Sequence, residues 1–323
     1  MDELNKIAVL YGGTSSERNI SLKSGEAVYR SILDLGYKSN LIDFKELSSI
    51  NILKKYDFIF IALHGFEGEG GELQRKLDDL NVPYSGSSPE SCFNTWNKAL
   101  TKEILRKKNI KTPNWKLVEN NHKLESLDDD SNLLPFKKHS DKESQSSLIN
   151  IFGKNESIFL KPITDGSSLD IYKVSSNKQF LESIKSSSDP NRAFMIEEAI
   201  EGREFTMTII DEKCYPPIEI ITKNQFYDYD AKYLSNETRL EKALLNNEEM
   251  EKIMEISLSA FKALNCRAWG RVDLMQNKKD GKFYIIEINT VPGMTNHSCV
   301  PRSGQFAGLS FNEIVKKIIN ASL

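Results

Sequence analysis

The sequence predicts a mixed α/β and α+β protein of more than one domain. Short apolar strands alternate with helices over the first hundred residues, which implies a parallel sheet with helices on its faces. Towards the other end, a helix with an apolar stripe precedes two strands joined by a turn containing Asp280-Gly281, the pattern of an antiparallel hairpin. A chain of 323 residues with 39% hydrophobic content has material for more than one core.

In chain order, Lys6 to Tyr11 is a short apolar run closed by Gly12-Gly13 and reads as a buried strand. Val28, Ile32 and Leu35 then share one helical face, with Gly36 as its C-cap. Asn40 to Phe44 and Phe58 to Leu63 read as further strands. Leu73, Leu77 and Leu80 form a stripe on a helix over Gly71 to Asn81, followed by a strand at Val82 to Ser85. Ser88 to Asn109 reads as one helix ending before Pro113. Asn120 to Ser157 is polar and Ser-rich and predicts loops. Order returns with the strand Ile158 to Pro162, a helix at Phe180 to Ser187, and strands at Ala193 to Glu198 and Glu204 to Ile210. A helix over Glu248 to Leu264 points Met250, Ile253, Met254, Leu258 and Phe261 inward. The hairpin strands Arg271 to Gln276 and Lys282 to Asn289 follow, and Phe311 to Ile319 is the closing helix.

Composition excludes several classes. Charged residues are 28% and the net charge is -3, so there is no global nucleic-acid footprint. The cysteines Cys92, Cys214, Cys266 and Cys299 form no CxxC pair and fit no zinc spacing; they read as reduced thiols in a cytoplasmic protein. The N-terminal MDELNKIAVLYGG lacks the basic and apolar regions of a signal peptide. No apolar run approaches the length of a membrane span.

Three constellations carry chemistry. In GRVDLM and YIIEINT, side chains alternate faces, so Val272, Leu274, Ile286 and Ile288 point away from Arg271, Asp273, Glu287 and Asn289. If the strands pair, Asp273, Glu287 and Asn289 converge. Their oxygens then favour a hard cation such as Mg²⁺, the ion that accompanies nucleotide phosphates, and Arg271 beside them stabilises an anion. The competing reading is a solvated sheet face. In FLKPITDGSS, Lys161 follows a strand within reach of a phosphate, and the N–H groups of Gly166, Ser167 and Ser168 can cradle its oxygens. On spacing alone, an ordinary turn with a surface lysine fits better. QFYDYDAKYLSNET interleaves tyrosines with charges and reads as a lid or, by itself more readily, as a surface hairpin.

Two smaller features accompany these. GGTSSE opens a helix after the first strand and is not GxGxxG, so a dinucleotide reading is poor. There Glu17 suits an ammonium ligand, or else simply complements the helix dipole. His64 stands at the carboxyl end of a strand, where open α/β sheets place ligands, although a lone histidine is more often structural.

Together these stretches resemble the D-alanine–D-alanine ligase family of the ATP-grasp superfamily. The resemblance runs from Val9 to Phe311 and is carried above all by GGTSSE, YDYDAKY and EINTVPGMTNHS. It implies a Rossmann-like α/β substrate-binding domain over 1–97 and an ATP-grasp fold of two α+β subdomains, 98–192 and 193–323, the latter with the lid and metal site. It implies ATP-dependent joining of two D-alanines through a D-alanyl phosphate, for peptidoglycan precursor synthesis. ATP would be held by Lys98, Lys161, Glu197, Ala199, Ile200, Glu204 and Lys232, and two Mg²⁺ or Mn²⁺ ions by Asp273, Glu287 and Asn289. Glu17, Ser167 and Tyr233 would bind the first ammonium and tether the lid, with His64 close by. Arg271 and the N–H of Gly293 would stabilise the oxyanion, and Ser298 with the backbone near Cys299 would hold the second carboxylate. Tyr233 matches the dipeptide-forming rather than the depsipeptide-forming enzymes. The family also implies a homodimer with no nucleic-acid or membrane partner. Departures from its pattern are Asp170 for a usual glycine, no proline beyond the lid, no Gly-x-Pro before the Lys161 strand, and Cys299 where leucine is common. Rival readings are another ATP-grasp carboxylate–amine ligase, a nucleotide-binding sensor without catalysis, and a nicotinamide-dependent oxidoreductase.

Overall fold

The computed structural model describes residues 4–118, 157–166, 170–189, 192–222 and 238–323. The Asn120 to Ser157 stretch and the lid segment therefore lie almost wholly outside the described residues. Among those described, the strands form three sheets.

The first sheet is parallel, in the order β2 (Lys38–Asp43), β1 (Lys6–Tyr11), β3 (Phe58–Ile61). β1 and β3 read as unbroken apolar runs because both faces are covered. Ile7, Val9, Phe58 and Phe60 point one way, into a core with Val28 and Ile32 of α1 (Arg18–Asp34). Ala8, Leu10, Ile59 and Ile61 point the other way, against Leu73 and Leu77 of α3 (Glu72–Asp79), which follows the single-turn α2 (Phe66–Glu69). Gly36 takes a left-handed φ of 88° just past α1, as expected of a C-cap glycine. Val82 to Ser85 contributes only one isolated bridge, Ile59 to Tyr84, rather than a strand.

The helix expected over Ser88 to Asn109 is two helices, α4 (Pro89–Trp96) and α5 (Lys98–Lys107). Asn97 leaves the helical region, caps α5 by accepting from the N–H of Leu100, and bridges Thr164. The apolar periodicity is continuous through the break, so only the local hydrogen bonding of Asn97 reveals it.

The central sheet is antiparallel, in the order β4 (Trp115–Leu117), β7 (Phe194–Glu198), β5 (Ile158–Pro162), β6 (Tyr172–Val174). One face packs Leu160, Val174, Phe194 and Ile196 on Phe180 and Ile184 of α6 (Asn177–Ser186). The sequence division placed residues from 193 in the C-terminal unit. The pairing of β7 with β4 and β5 puts that strand in the central sheet instead.

The third sheet runs β11 (Arg239–Lys242), β10 (Ile218–Ile221), β8 (Gly202–Ile210), β12 (Trp269–Asn277), β13 (Phe283–Asn289), with β9 (Lys213–Cys214) on β8. Phe205, Met207, Ile209, Val272, Leu274, Ile285 and Ile288 form its apolar face, under Ile253, Ala260 and Phe261 of α7 (Asn247–Ala263). Met254 of α7 is exposed rather than inward. A capping box of Asn246 and Glu249 starts α7. Two helices follow, α8 (Cys299–Phe306) and α9 (Phe311–Ser322). Ile314, Val315, Ile318 and Ile319 of α9 enter the core of the first sheet beside α1. No helix among the described residues is long and apolar enough to cross a membrane.

The β12–β13 pairing sets Arg271 opposite Asn289 and Asp273 opposite Glu287, so these four side chains share the face away from α7. A bulge then shifts the register, with Leu274 opposite Ile285. Ile286 is the extra residue. It turns to the polar side, while Ile285 takes the core position that strict alternation gave to Ile286.

Candidate active site

Two cavities meet at Glu287, which lines both. The larger, about 650 Å³, lies between the central and third sheets and falls in the usual range for a small-molecule site. The smaller encloses about 110 Å³ and is bordered by charged and polar side chains.

The larger cavity is lined by Lys161 of β5, Glu197 of β7, Ala199 and Ile200 of the turn into β8, and Glu204, Asp273, Ile286 and Glu287 of the third sheet. Lys161 Nζ donates to Glu197 Oε1 at 2.5 Å. The other Glu197 oxygen pairs with Lys102 of α5, and Lys102 and Glu197 are 1% and 2% exposed. Lys102 also donates to Thr112 Oγ1 at 2.7 Å, which in turn donates to the Ile285 carbonyl at 2.9 Å. Burial works against the Glu197 charge, but the two lysines outweigh it and hold the carboxyl below its ordinary range. Burial pushes the Lys102 ammonium below its ordinary range, with Glu197 pulling the other way. Lys102 was missed by sequence reasoning, although it lies one helical turn beyond Lys98.

Lys98 lines the smaller cavity, where its Nζ donates to the Asp165 carbonyl at 2.5 Å. The break at Asn97 makes this reach possible, because the Lys98 N–H bonds the Ile163 carbonyl and draws the start of α5 onto the β5 loop. Asp165 and Asp170 are tied together by Arg192, whose Nη1 donates to Asp165 Oδ2 at 2.7 Å and whose Nη2 pairs with Asp170. Asp170 also accepts from the Ser188 N–H at 2.9 Å, the Ser188 hydroxyl at 2.6 Å and the Tyr172 hydroxyl at 2.8 Å. It takes the left-handed φ of 52° that a glycine adopts without strain.

Glu17 is buried at the head of α1 and lines the smaller cavity with His64, Arg271, Gly293, Ser298 and Cys299. A Cβ on Gly166 would lie 2.7 Å from Glu17 Oε2, so a larger residue there would push the carboxylate aside. Both nitrogens of buried His64 are committed. Nδ1 lies 3.0 Å from the Val291 carbonyl, which can only accept, so Nδ1 carries the proton. Nε2, 3.1 Å away, accepts from the Ser24 hydroxyl, whose oxygen accepts from the Met294 N–H. Burial, with Arg271 adding to it, pushes the imidazole below its ordinary range and keeps it neutral. His64 thus pins the Val291–Met294 loop to α1.

Arg271 donates from Nε and Nη2 to the two oxygens of Asp273, at 2.9 and 2.8 Å. The same carboxylate accepts from Thr206 Oγ1 at 2.7 Å and Asn289 Nδ2 at 3.1 Å. The donor set Asp273, Glu287 and Asn289 fits a hard divalent cation by chemistry, since all three offer oxygen. Among the described residues no three His, Cys, Asp or Glu side chains cluster at metal-binding distance. The third oxygen would have to come from the Asn289 amide, turned from its present bond. Gly293 packs against Ser298, whose hydroxyl accepts from the Thr295 N–H at 3.0 Å. Cys299 packs with Ile218 and Ile220 and also lines the smaller cavity. Ser167, Lys232 and Tyr233 lie outside the described residues. Glu69 of α2, on the wall of the smaller cavity, was also missed; in EGEGGE nothing separates it from its acidic neighbours.

The family model described as "D-ala D-ala ligase C-terminus" matches residues 131–320. The D-alanine–D-alanine ligase of Saccharophagus degradans is 36% identical over 99% of this chain and 95% of its own. That of Buchnera aphidicola subsp. Schizaphis graminum is 38% identical over 97% of this chain and 98% of its own. Among solved structures, the Bacillus anthracis D-alanine–D-alanine ligase complexed with ATP superposes with a TM-score of 0.80 at 29% identity, covering 98% of this chain and 97% of that one.

Proposed function

The chain belongs to the D-alanine–D-alanine ligase family, and on that premise we propose that it joins two molecules of D-alanine into D-alanyl-D-alanine, with ATP as phosphoryl donor, for peptidoglycan precursor synthesis. The observation that carries the reading is the sharing of Glu287 between a nucleotide-sized cavity and a smaller, polar one. A phosphoryl group handed from one bound molecule to the other crosses at that point.

The carboxylate of the first D-alanine attacks the γ-phosphorus of ATP, which gives D-alanyl phosphate and ADP. The amine of the second then attacks the acyl carbon and phosphate leaves. Lys161, held by Glu197, and Lys98, held by the Asp165 carbonyl, take the phosphates as fixed point charges. Ala199 and Ile200 flank the adenine and Glu204 takes the ribose. Glu17 takes the first ammonium. Arg271, oriented by Asp273, and the Gly293 N–H stabilise the tetrahedral oxyanion. Ser298 and the Cys299 backbone hold the second carboxylate. His64 acts by keeping the Val291–Met294 loop in place rather than by touching a reacting atom. Two Mg²⁺ or Mn²⁺ ions held by Asp273, Glu287 and Asn289 would neutralise phosphate charge when bound. Ser167, Lys232 and Tyr233 belong to the same proposal, with Tyr233 favouring a dipeptide over a depsipeptide product. We extend it to a cytoplasmic homodimer of three domains, with the central one reaching Glu198.

Phosphate release from Mg-ATP with D-alanine, L-alanine or no amino acid tests the reading. Release with D-alanine alone, accompanied by the dipeptide, is expected. Release that ignores the amino acid, or a different product, overturns it.

A further inference from the structure

Glu69 closes α2, directly behind the turn that carries His64. Its Oε1 accepts the Gly65 N–H at 3.0 Å, and its other oxygen takes no hydrogen bond among the described residues. It lines the smaller cavity, which is faced by Glu17 and His64 from the first unit, Lys98 and Asp165 from beside the β5 loop, Arg271 and Glu287 from the hairpin, and His297. Burial first, and then the Glu17 carboxylate, push the Glu69 carboxyl up to about 8, against the pull of the Gly65 N–H and Arg271.

The reaction proposed above brings two ammonium groups into this cavity. Four carboxylates border it, and three are accounted for. Glu17 takes the first ammonium, Glu287 belongs to the phosphate side, and Asp165 is paired with Arg192. Resting on that reading, we propose that Glu69 receives the ammonium of the second amino acid and accepts the proton that must leave it before the amine can attack.

The chemistry suits the residue. An alkylammonium gives its proton poorly to an ordinary carboxylate, and a carboxyl in an environment that resists its charge narrows the gap. Before substrate arrives, Glu69 sits buried beside Glu17 and keeps its proton. The incoming cation replaces that proton, which goes to solvent. Glu69 then takes one proton from the ammonium, and the freed nitrogen lone pair forms the bond to the carbonyl carbon of the acyl phosphate. The bond from that carbon to the phosphate oxygen breaks, and phosphate departs with the electron pair. The surplus proton on the new amide nitrogen goes with it, leaving amide, hydrogen phosphate and protonated Glu69.

Hydroxylamine separates this step from those before it, because it reaches the acyl phosphate as a neutral nucleophile with no ammonium to deprotonate. Glu69→Gln keeps the size and leaves an oxygen for the Gly65 N–H. In this variant, D-alanine hydroxamate formation is expected to stay within about threefold of the unsubstituted protein, while dipeptide formation falls roughly 100-fold. Glu69→Asp, which keeps an acid but retracts it, is expected to fall between them, and it serves if the glutamine variant melts early. Dipeptide formation within threefold in both variants, or hydroxamate formation falling in parallel, overturns the assignment. If the unsubstituted protein forms neither product from D-alanine, the ligase reading itself fails, and Glu69's role with it.

Discussion

Replacing Lys102 by methionine perturbs the most completely buried charge cluster described above. The substitution removes an ammonium that is 1% exposed and leaves Glu197, 2% exposed, with Lys161 alone. Two bonds from a charged donor disappear, to Glu197 and to Thr112, each worth about 1.5–3 kcal/mol. The apolar replacement no longer has to be desolvated as a cation, which offsets part of that. A net loss of about 3 kcal/mol follows, near the lower end of what breaking a buried pair costs. A second effect lies in pH. Glu197 is held below its ordinary range, so its stabilising contribution is complete above the unfolded carboxyl range and is lost as pH falls through the folded value. Without Lys102 the folded value rises, and acid destabilisation begins at a higher pH. Urea unfolding at neutral and mildly acid pH measures both effects. The double substitution Lys102→Met with Glu197→Gln should cost at least ~1 kcal/mol more than Lys102→Met, because Lys161 then loses its carboxylate and is left as the orphaned charge. A Lys102→Met protein within ~0.5 kcal/mol of the parent, with an unmoved acid limb, would refute the view that these three side chains act as one unit.

Arg271→Ala should lower ligation at least about 100-fold while nucleotide binding, followed by fluorescence or calorimetry, is largely retained. A circular-dichroism melt confirms that the variant is folded. Gly68→Ala should destabilise by ~2 kcal/mol or more, since its Cβ would lie 1.9 Å from the Leu63 carbonyl oxygen, and thermal unfolding reads this directly. Asp170→Gly keeps the backbone conformation but removes the partner of Arg192, Ser188 and Tyr172. The KM for ATP should rise several-fold, by about 1 kcal/mol of lost loop anchoring, with little change in melting temperature.

The polar face of the β12–β13 hairpin was legible in the sequence because strand alternation has a period of two, and Arg271, Asp273, Glu287 and Asn289 all obey it. Ile286 was misread for the same reason: a bulge adds one residue without altering composition, and only the register with β12 exposes it. The parallel sheet was readable from its unbroken apolar runs, but its covering helix α9 was not assignable to it, since periodicity gives a helix a face and never a partner. The break at Asn97 and the burial of Lys102 escaped for a related reason. Both depend on what the opposing loop and sheet present, namely the Ile163 carbonyl and the Glu197 carboxylate. Glu17, Lys161 and Glu197 were identifiable only through motifs; their burial and pairing are tertiary facts.

The seating of α9 on the first sheet has a consequence for biosynthesis. Ile314, Val315, Ile318 and Ile319 share a core with Ile7 and Val9 but leave the ribosome roughly 300 residues after them. Until Phe311–Ser322 has been made, one side of β1 and β3 stays only partly shielded by α1. Throughout that interval the nascent chain carries a partly uncovered apolar sheet face, a natural target for chaperones and a slow, long-range closure for a refolding molecule.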